Sequence, residues 1–144
     1  MIYFLPIATI KVIRTDLRIQ RRRRNGREHA IDISVDVDST GRARAVRVAG
    51  ELDSYTAPEL ARTLREQLDS SPSMVIVDLV GLDFLDPASL SVLVKASKQA
   101  RSRNISFSLV LISERFLKIL EQTGLRGAFP IYSSASEAFT AEEP

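Results

Sequence analysis

Met74-Val75-Ile76-Val77, closed by Asp78, is the segment that most narrows what this chain can fold into. Four consecutive apolar residues offer no polar face, so a strand built from them needs cover on both sides. Helices supply that cover when strands and helices alternate along the chain, and the strands then run mainly parallel.

The flanking segments supply the alternation. Ile31, Ile33, Val35 and Val37 are interleaved with Asp32, Ser34 and Asp36, the period-2 pattern of a half-buried strand. Ser39-Thr40-Gly41 reads as a turn, and Ala43, Ala45, Val46 and Val48 as a second strand, antiparallel to the first and ending at Gly50. Thr56 with Glu59 predicts a capping box, and Pro58 fits the first helical turn. Leu60, Ala61, Leu64 and Leu68 continue at helical spacing until Ser70-Ser71-Pro72. Asp86-Pro87 predicts the start of a second helix, reaching about Arg103. Phe107 to Ile112 reads as another strand, Ser113 as the cap of a third helix, and Phe129 to Tyr132 as a short last strand. Ser134 with Glu137 opens a terminal helix. The order is β-β-α-β-α-β-α-β-α: a single α/β domain with a mainly parallel mixed sheet, an N-terminal antiparallel hairpin and about four helices.

Charge divides the chain. Residues 1–30 carry a net +6 and residues 31–144 a net −4, so the basic character belongs to the N-terminal arm. Arg21-Arg22-Arg23-Arg24-Asn25-Gly26-Arg27 predicts a mobile extension over residues 1–28, ahead of a domain spanning 29–144. Binding of nucleic acid or an anionic membrane is the functional reading of the arm and a solvated leader the bland one, which we prefer. The folded part has no nucleic-acid footprint. Met1 to Ile10 is apolar but too short to span a bilayer, and its positive charges follow it instead of preceding it as in a secretory signal. The expectation is a cytoplasmic protein.

Composition removes several chemistries. There is no Cys and a single His, so thiol catalysis, thiolate metal sites, multi-His metal sites and a His-based triad relay find little material. No GxGxxG, GxxxxGKS/T or GxSxG spacing occurs. Asp83 and Asp86 could be offered as a carboxylate pair, but turn and cap roles explain them better. Asp53 and Asp78 each follow a predicted strand, where wound sheets place their sites, and simple capping or turn roles account for each at least as well. His29, at the edge of the arm, reads as solvated. The expectation is a binding protein with no catalytic residue, no cofactor and no metal.

Several segments in order resemble a STAS domain of the anti-sigma factor antagonist type. Val48-Ala49-Gly50-Glu51-Leu52-Asp53 with Thr56-Ala57-Pro58 is similar to that family's opening motif. Val75 through Asp86 resembles its strand and loop, Leu90 through Ala96 the following helix, and Thr123-Gly124-Leu125 a frequent late motif. Tyr132 and Ser136-Glu137-Ala138 are similar to the closing segment. The resemblance implies partner switching: capture of an anti-sigma factor, often a GHKL-type serine kinase, which frees a sigma factor. It also implies docking through the loop and helix start, here Asp83, Phe84, Leu85, Asp86, Pro87, Ala88, Ser89, Leu90 and Val94, with Asp53 and Ser54 nearby. An accessory subunit of a membrane transport or stress-signalling assembly is the alternative.

One departure bears on regulation. The family's usual phosphoacceptor, the residue after the loop aspartate, is here Pro87, and Ala88 follows. Neither carries a hydroxyl. Ser89 stands two residues late, which on a helix is about 3 Å along and about 200° around. It is a weak candidate, and a small residue allowing close packing is the plainer reading.

Overall fold

A computed structural model describes residues 12–24 and 26–142. Six strands form one sheet in the order β1 (Val12–Arg24), β2 (Arg27–Asp38), β3 (Ala43–Leu52), β4 (Met74–Leu85), β5 (Ser106–Val110) and β6 (Ile131–Tyr132). The pairs β1–β2 and β2–β3 are antiparallel, and those from β3 to β6 are parallel. Helices α1 (Ala57–Asp69), α2 (Leu90–Ser102), α3 (Glu114–Gln122) and α4 (Ala135–Glu142) follow β3, β4, β5 and β6.

The apolar run of β4 is covered as its composition requires. Val75, Val77 and Leu79 join the large core with Leu60, Leu64 and Leu68 of α1, Leu93 of α2, and Phe116 and Leu120 of α3. Met74 and Ile76 face the other way and pack with Ala43, Val110 and α4 residues Ala135, Ala138 and Phe139. Each fully buried leucine contributes about 1.5–3 kcal/mol of transfer free energy. The small second core is pinned by Tyr132, whose hydroxyl donates to Glu142 Oε2 at 2.5 Å. That bond, with burial and the nearby carboxylates, pushes the Tyr132 pKa up to about 12.

The predicted element order holds, but the N-terminal boundary moves. Sequence analysis set residues 1–28 apart as a mobile arm. In the structure Val12–Arg24 is an edge strand in register with β2, so the 28/29 boundary falls inside a hairpin. Residues 1–11 lie outside the described residues. The physical reason is local: Arg24 pairs with Arg27, leaving Asn25-Gly26 between them, and Gly26 has φ +72°. Asn-Gly between two strands is a strong hairpin signal, which the arginine run obscured. The arginines are also partly compensated: Arg21 lies 3.5 Å from Glu28, Arg27 is 2.9 Å from Glu51, and the Arg24 guanidinium sits 5.3 Å from the Tyr55 ring centre.

Strand β4 continues past Asp78 to Leu85, so Asp78 lies within a strand instead of in a loop, its Oδ1 accepting from the Val80 N–H at 3.0 Å. The last strand is shorter than predicted, at Ile131–Tyr132. The helix starts at Ser113 and Ser134 are capped as expected, by bonds from the Phe116 N–H at 3.3 Å and the Glu137 N–H at 3.1 Å.

Gly50 lets β2 and β3 approach closely. Its φ is +96°, and a Cβ there would lie 2.6 Å from the Ala30 carbonyl oxygen. Gly127 has open space around the same position. Gly50→Ala should therefore cost about 2 kcal/mol or more, whereas Gly127→Ala should change stability by less than about 1 kcal/mol. Urea unfolding followed by circular dichroism checks both.

Candidate functional site: the C-terminal edge of the sheet

Leu52 and Leu85 are paired at the ends of the parallel strands β3 and β4, and the Asp86 N–H donates to the Leu52 carbonyl at 2.8 Å. Two loops therefore emerge side by side, one starting at Asp53 and the other at Asp86. In the second, Asp86 Oδ1 accepts from the Ala88 N–H at 3.1 Å and caps a 3-10 turn, Pro87–Ser89, that leads into α2. Proline needs no acceptor at that first position and presets its φ.

The first loop is closed by its own side chains. Asp53 Oδ1 accepts from the N–H groups of Tyr55 (2.9 Å) and Thr56 (3.1 Å). The Thr56 hydroxyl donates to the Glu51 carbonyl at 2.6 Å and accepts from the Asp53 N–H at 3.0 Å. The predicted capping box is thus absent: Thr56 makes no cap bond to the helix, and Glu59 pairs with Arg62. The Thr56 hydroxyl is engaged within the loop, and the Asp53 carboxylate satisfies the free N–H groups.

His29 is not solvated, as its sequence position suggested. It is buried, its Nδ1 lies 2.6 Å from Asp53 Oδ2, and its ring centre is 4.6 Å from that of Tyr55. The hairpin that sequence analysis set aside places it there. Burial pushes the Asp53 carboxyl up. The hydrogen bonds from His29, Tyr55 and Thr56 and the His29 charge outweigh burial and hold the group below its ordinary range. His29, Glu51 and Asp53 bring ligand atoms within 4.8 Å of one another. Hydrogen bonding accounts for all three, since Glu51 is held by Arg27.

The predicted docking residues divide into two groups. Asp83, Phe84, Pro87, Ala88 and Ser54 are exposed, and Asp86 and Val94 are half-buried. Leu85, Ser89 and Leu90 are core residues, and so is Asp53 in its hydrogen-bonded loop. Replacing Leu90 would therefore perturb the fold, contrary to the expectation that it forms part of an outer face. The Ser89 hydroxyl is buried and has no hydrogen-bond partner.

Further residues at this edge escaped the sequence reading. Ile112, two residues beyond β5, is 56% exposed, and Phe84 is 43% exposed. Pro87, Ala88, Leu90 and Val94 line one open groove of about 560 Å³ with Thr123 and Leu125, and Lys95 and Lys98 bring charge to it. The half-apolar spacing Pro87, Leu90, Val94 was the available signal, but the matching wall beyond α3 needed the fold.

This architecture, a mixed sheet with helices after each parallel strand and a short turn leading into α2, defines an α/β protein with an open groove beside that turn. The chain belongs to the STAS domain family, whose model matches residues 34–138. It is 31% identical over 107 residues to an anti-sigma-B factor antagonist of Bacillus subtilis, covering 74% of this chain and 96% of the relative. It is 32% identical over 90 residues to an anti-sigma-B factor antagonist of Listeria monocytogenes, covering 62% and 79%. The crystal structure of an anti-sigma factor antagonist from Mycobacterium paratuberculosis superposes with a TM-score of 0.65 at 22% identity, covering 88% and 93%. Among the described residues no helix is long and apolar enough to cross a membrane.

The Asp53 arrangement has a pH signature. A carboxyl with a depressed folded pKa stabilises above its unfolded value, about 3.9, and that contribution is lost as pH falls through the folded value. Asp53→Ala should cost about 2 kcal/mol or more at neutral pH, and its deficit relative to wild type should narrow below about pH 4. Urea titrations between neutral pH and pH 3 read this directly.

Proposed function

We propose that this chain is an anti-sigma factor antagonist that captures its partner on the C-terminal edge of the sheet and remains competent to bind without a Ser/Thr phosphorylation switch. The names of the relatives support the partner class and favour it over an accessory transport subunit. A GHKL-type serine kinase is the partner that the family resemblance implies. The reading includes a regulatory protein without catalysis of its own, working in the cytoplasm.

One observation carries the unswitched part. The exposed positions of the turn after Asp86 are Pro87 and Ala88, while Ser89 is buried. The turn presents apolar surface, with Phe84 beside it and the groove leading away along α2. Apolar anchors ringed by polar side chains suit protein docking. Asp83 and Asp86 add negative charge, and Ser54 borders them through the adjoining loop.

Affinity purification from lysate of the source cells, with wild type beside Phe84→Asp and Ala88→Glu, tests the reading. Wild type should retain an anti-sigma factor, identified by mass spectrometry. Each variant should lose at least about tenfold of it, equivalent to about 1.4 kcal/mol, while its unfolding midpoint is unchanged. The recovered wild type should carry no phosphate, before or after incubation with ATP and the retained partner. Phosphate on any serine would overturn the unswitched reading, and full binding by both variants would overturn the chosen face.

A further inference from the structure

We infer that this chain pairs with a second copy of itself along β1, joining two sheets edge to edge around a two-fold axis. Strand β1 ends the sheet order, so among the described residues no strand lies beside its outer row of N–H and C=O groups. Such a row is a template for another strand unless something blunts it.

The side chains of β1 fit that use. Leu17 and Ile19 are 63% and 53% exposed. Both lie on the sheet face away from α1, beside Ser34 and Asp32 of β2. Arg18, between them, points the other way and reaches Glu66 at 2.6 Å and the Thr63 hydroxyl at 3.2 Å. Leu17 also borders a shallow depression formed with Ala49, Val80 and Gly81, in which Val80 is 46% exposed. The apolar surface thus runs inward from the edge.

The pattern is self-complementary. Arg18 is the middle residue of the thirteen in β1. Antiparallel pairing with full overlap sets residue 12 opposite residue 24, and therefore Leu17 opposite Ile19 of the second copy and Ile19 opposite its Leu17. Two apolar cross-strand pairs form around the axis, the arrangement that favours sheet pairing. Charge selects the same direction. Antiparallel pairing sets Arg14 opposite Arg22 and Arg18 opposite Arg18 of the second copy, three like-charge pairs in all, whereas parallel pairing in full register would set all six arginines of β1 against their own copies. Each Arg18, nearest the axis, keeps its own Glu66. A strand edge with four apolar side chains buries less than the ~1,200 Å² of a standard interface, so the dimer should be weak, with Kd on the order of micromolar. β1 and the α2 groove stand at different ends of the sheet, so the pairing does not rest on the proposed partner reading.

Sedimentation equilibrium on the full chain, from about 5 to about 500 µM, is the test. Wild type should move from monomer to dimer mass. Leu17→Lys/Ile19→Lys should stay monomeric throughout, with an unchanged circular dichroism spectrum. Independently of any variant, the outward amides of β1 should exchange about tenfold more slowly at the highest concentration than at the lowest. A wild type that remains monomeric, that grows beyond a dimer, or whose β1 amides exchange at one rate overturns the inference. So does a folded lysine variant that dimerises like wild type.

Discussion

Two-sided burial of β4 is the constraint on which the rest depends. Its alternate residues belong to two different cores, the large one under α1, α2 and α3 and the small one under α4. Both sets of helices must be present for the strand to be dry, so the sheet cannot be assembled from a hairpin alone. The same strand then runs beyond its β5 partner, and from there to Leu85 it is paired with β3 only. The half-supported extension carries the Asp86 turn to the edge of the molecule, where one face of it is free.

That edge is rigid for reasons that reach back to the N-terminal hairpin. Asp53 ties two backbone N–H groups and one imidazole with two oxygens, and the imidazole comes from β2. Tyr55 packs against that imidazole with its ring tilted, and Arg24 of β1 lies over Tyr55. The basic strand thus buttresses a loop next to the proposed docking turn, two strands away from its own place in the sheet. A surface already ordered before association loses less conformational entropy on binding.

Much of this was legible from residue order. Periodicity located the helices, the two-sided strand and the antiparallel start, because each is a local pattern set by burial. The misreadings come from contacts that a local residue pattern does not encode. His29 looked solvated because Asp53 is 24 residues away. Thr56 looked like a helix cap because its hydroxyl's real acceptor, the Glu51 carbonyl, sits behind it in the chain. Leu85 and Leu90 looked like surface because their motif was read as one contiguous face, whereas Leu85 ends β4 and Leu90 opens α2 with both side chains in the core. The arginine run hid an ordinary hairpin, since its neutralising groups, Glu28 across the hairpin and Glu51 on β3, are brought to it only by the sheet pairing.

Pro87 has a consequence for the cell's arithmetic. Under the proposed reading a docking turn with no exposed hydroxyl is not switched off by chemistry on the turn itself, so the amount of this chain relative to its target becomes the signal. Response would then follow the law of a titration, flat until the target is matched and steep beyond it. Its recovery time would be set by synthesis, dilution and proteolysis, in minutes to generations, and not by the turnover of an enzyme.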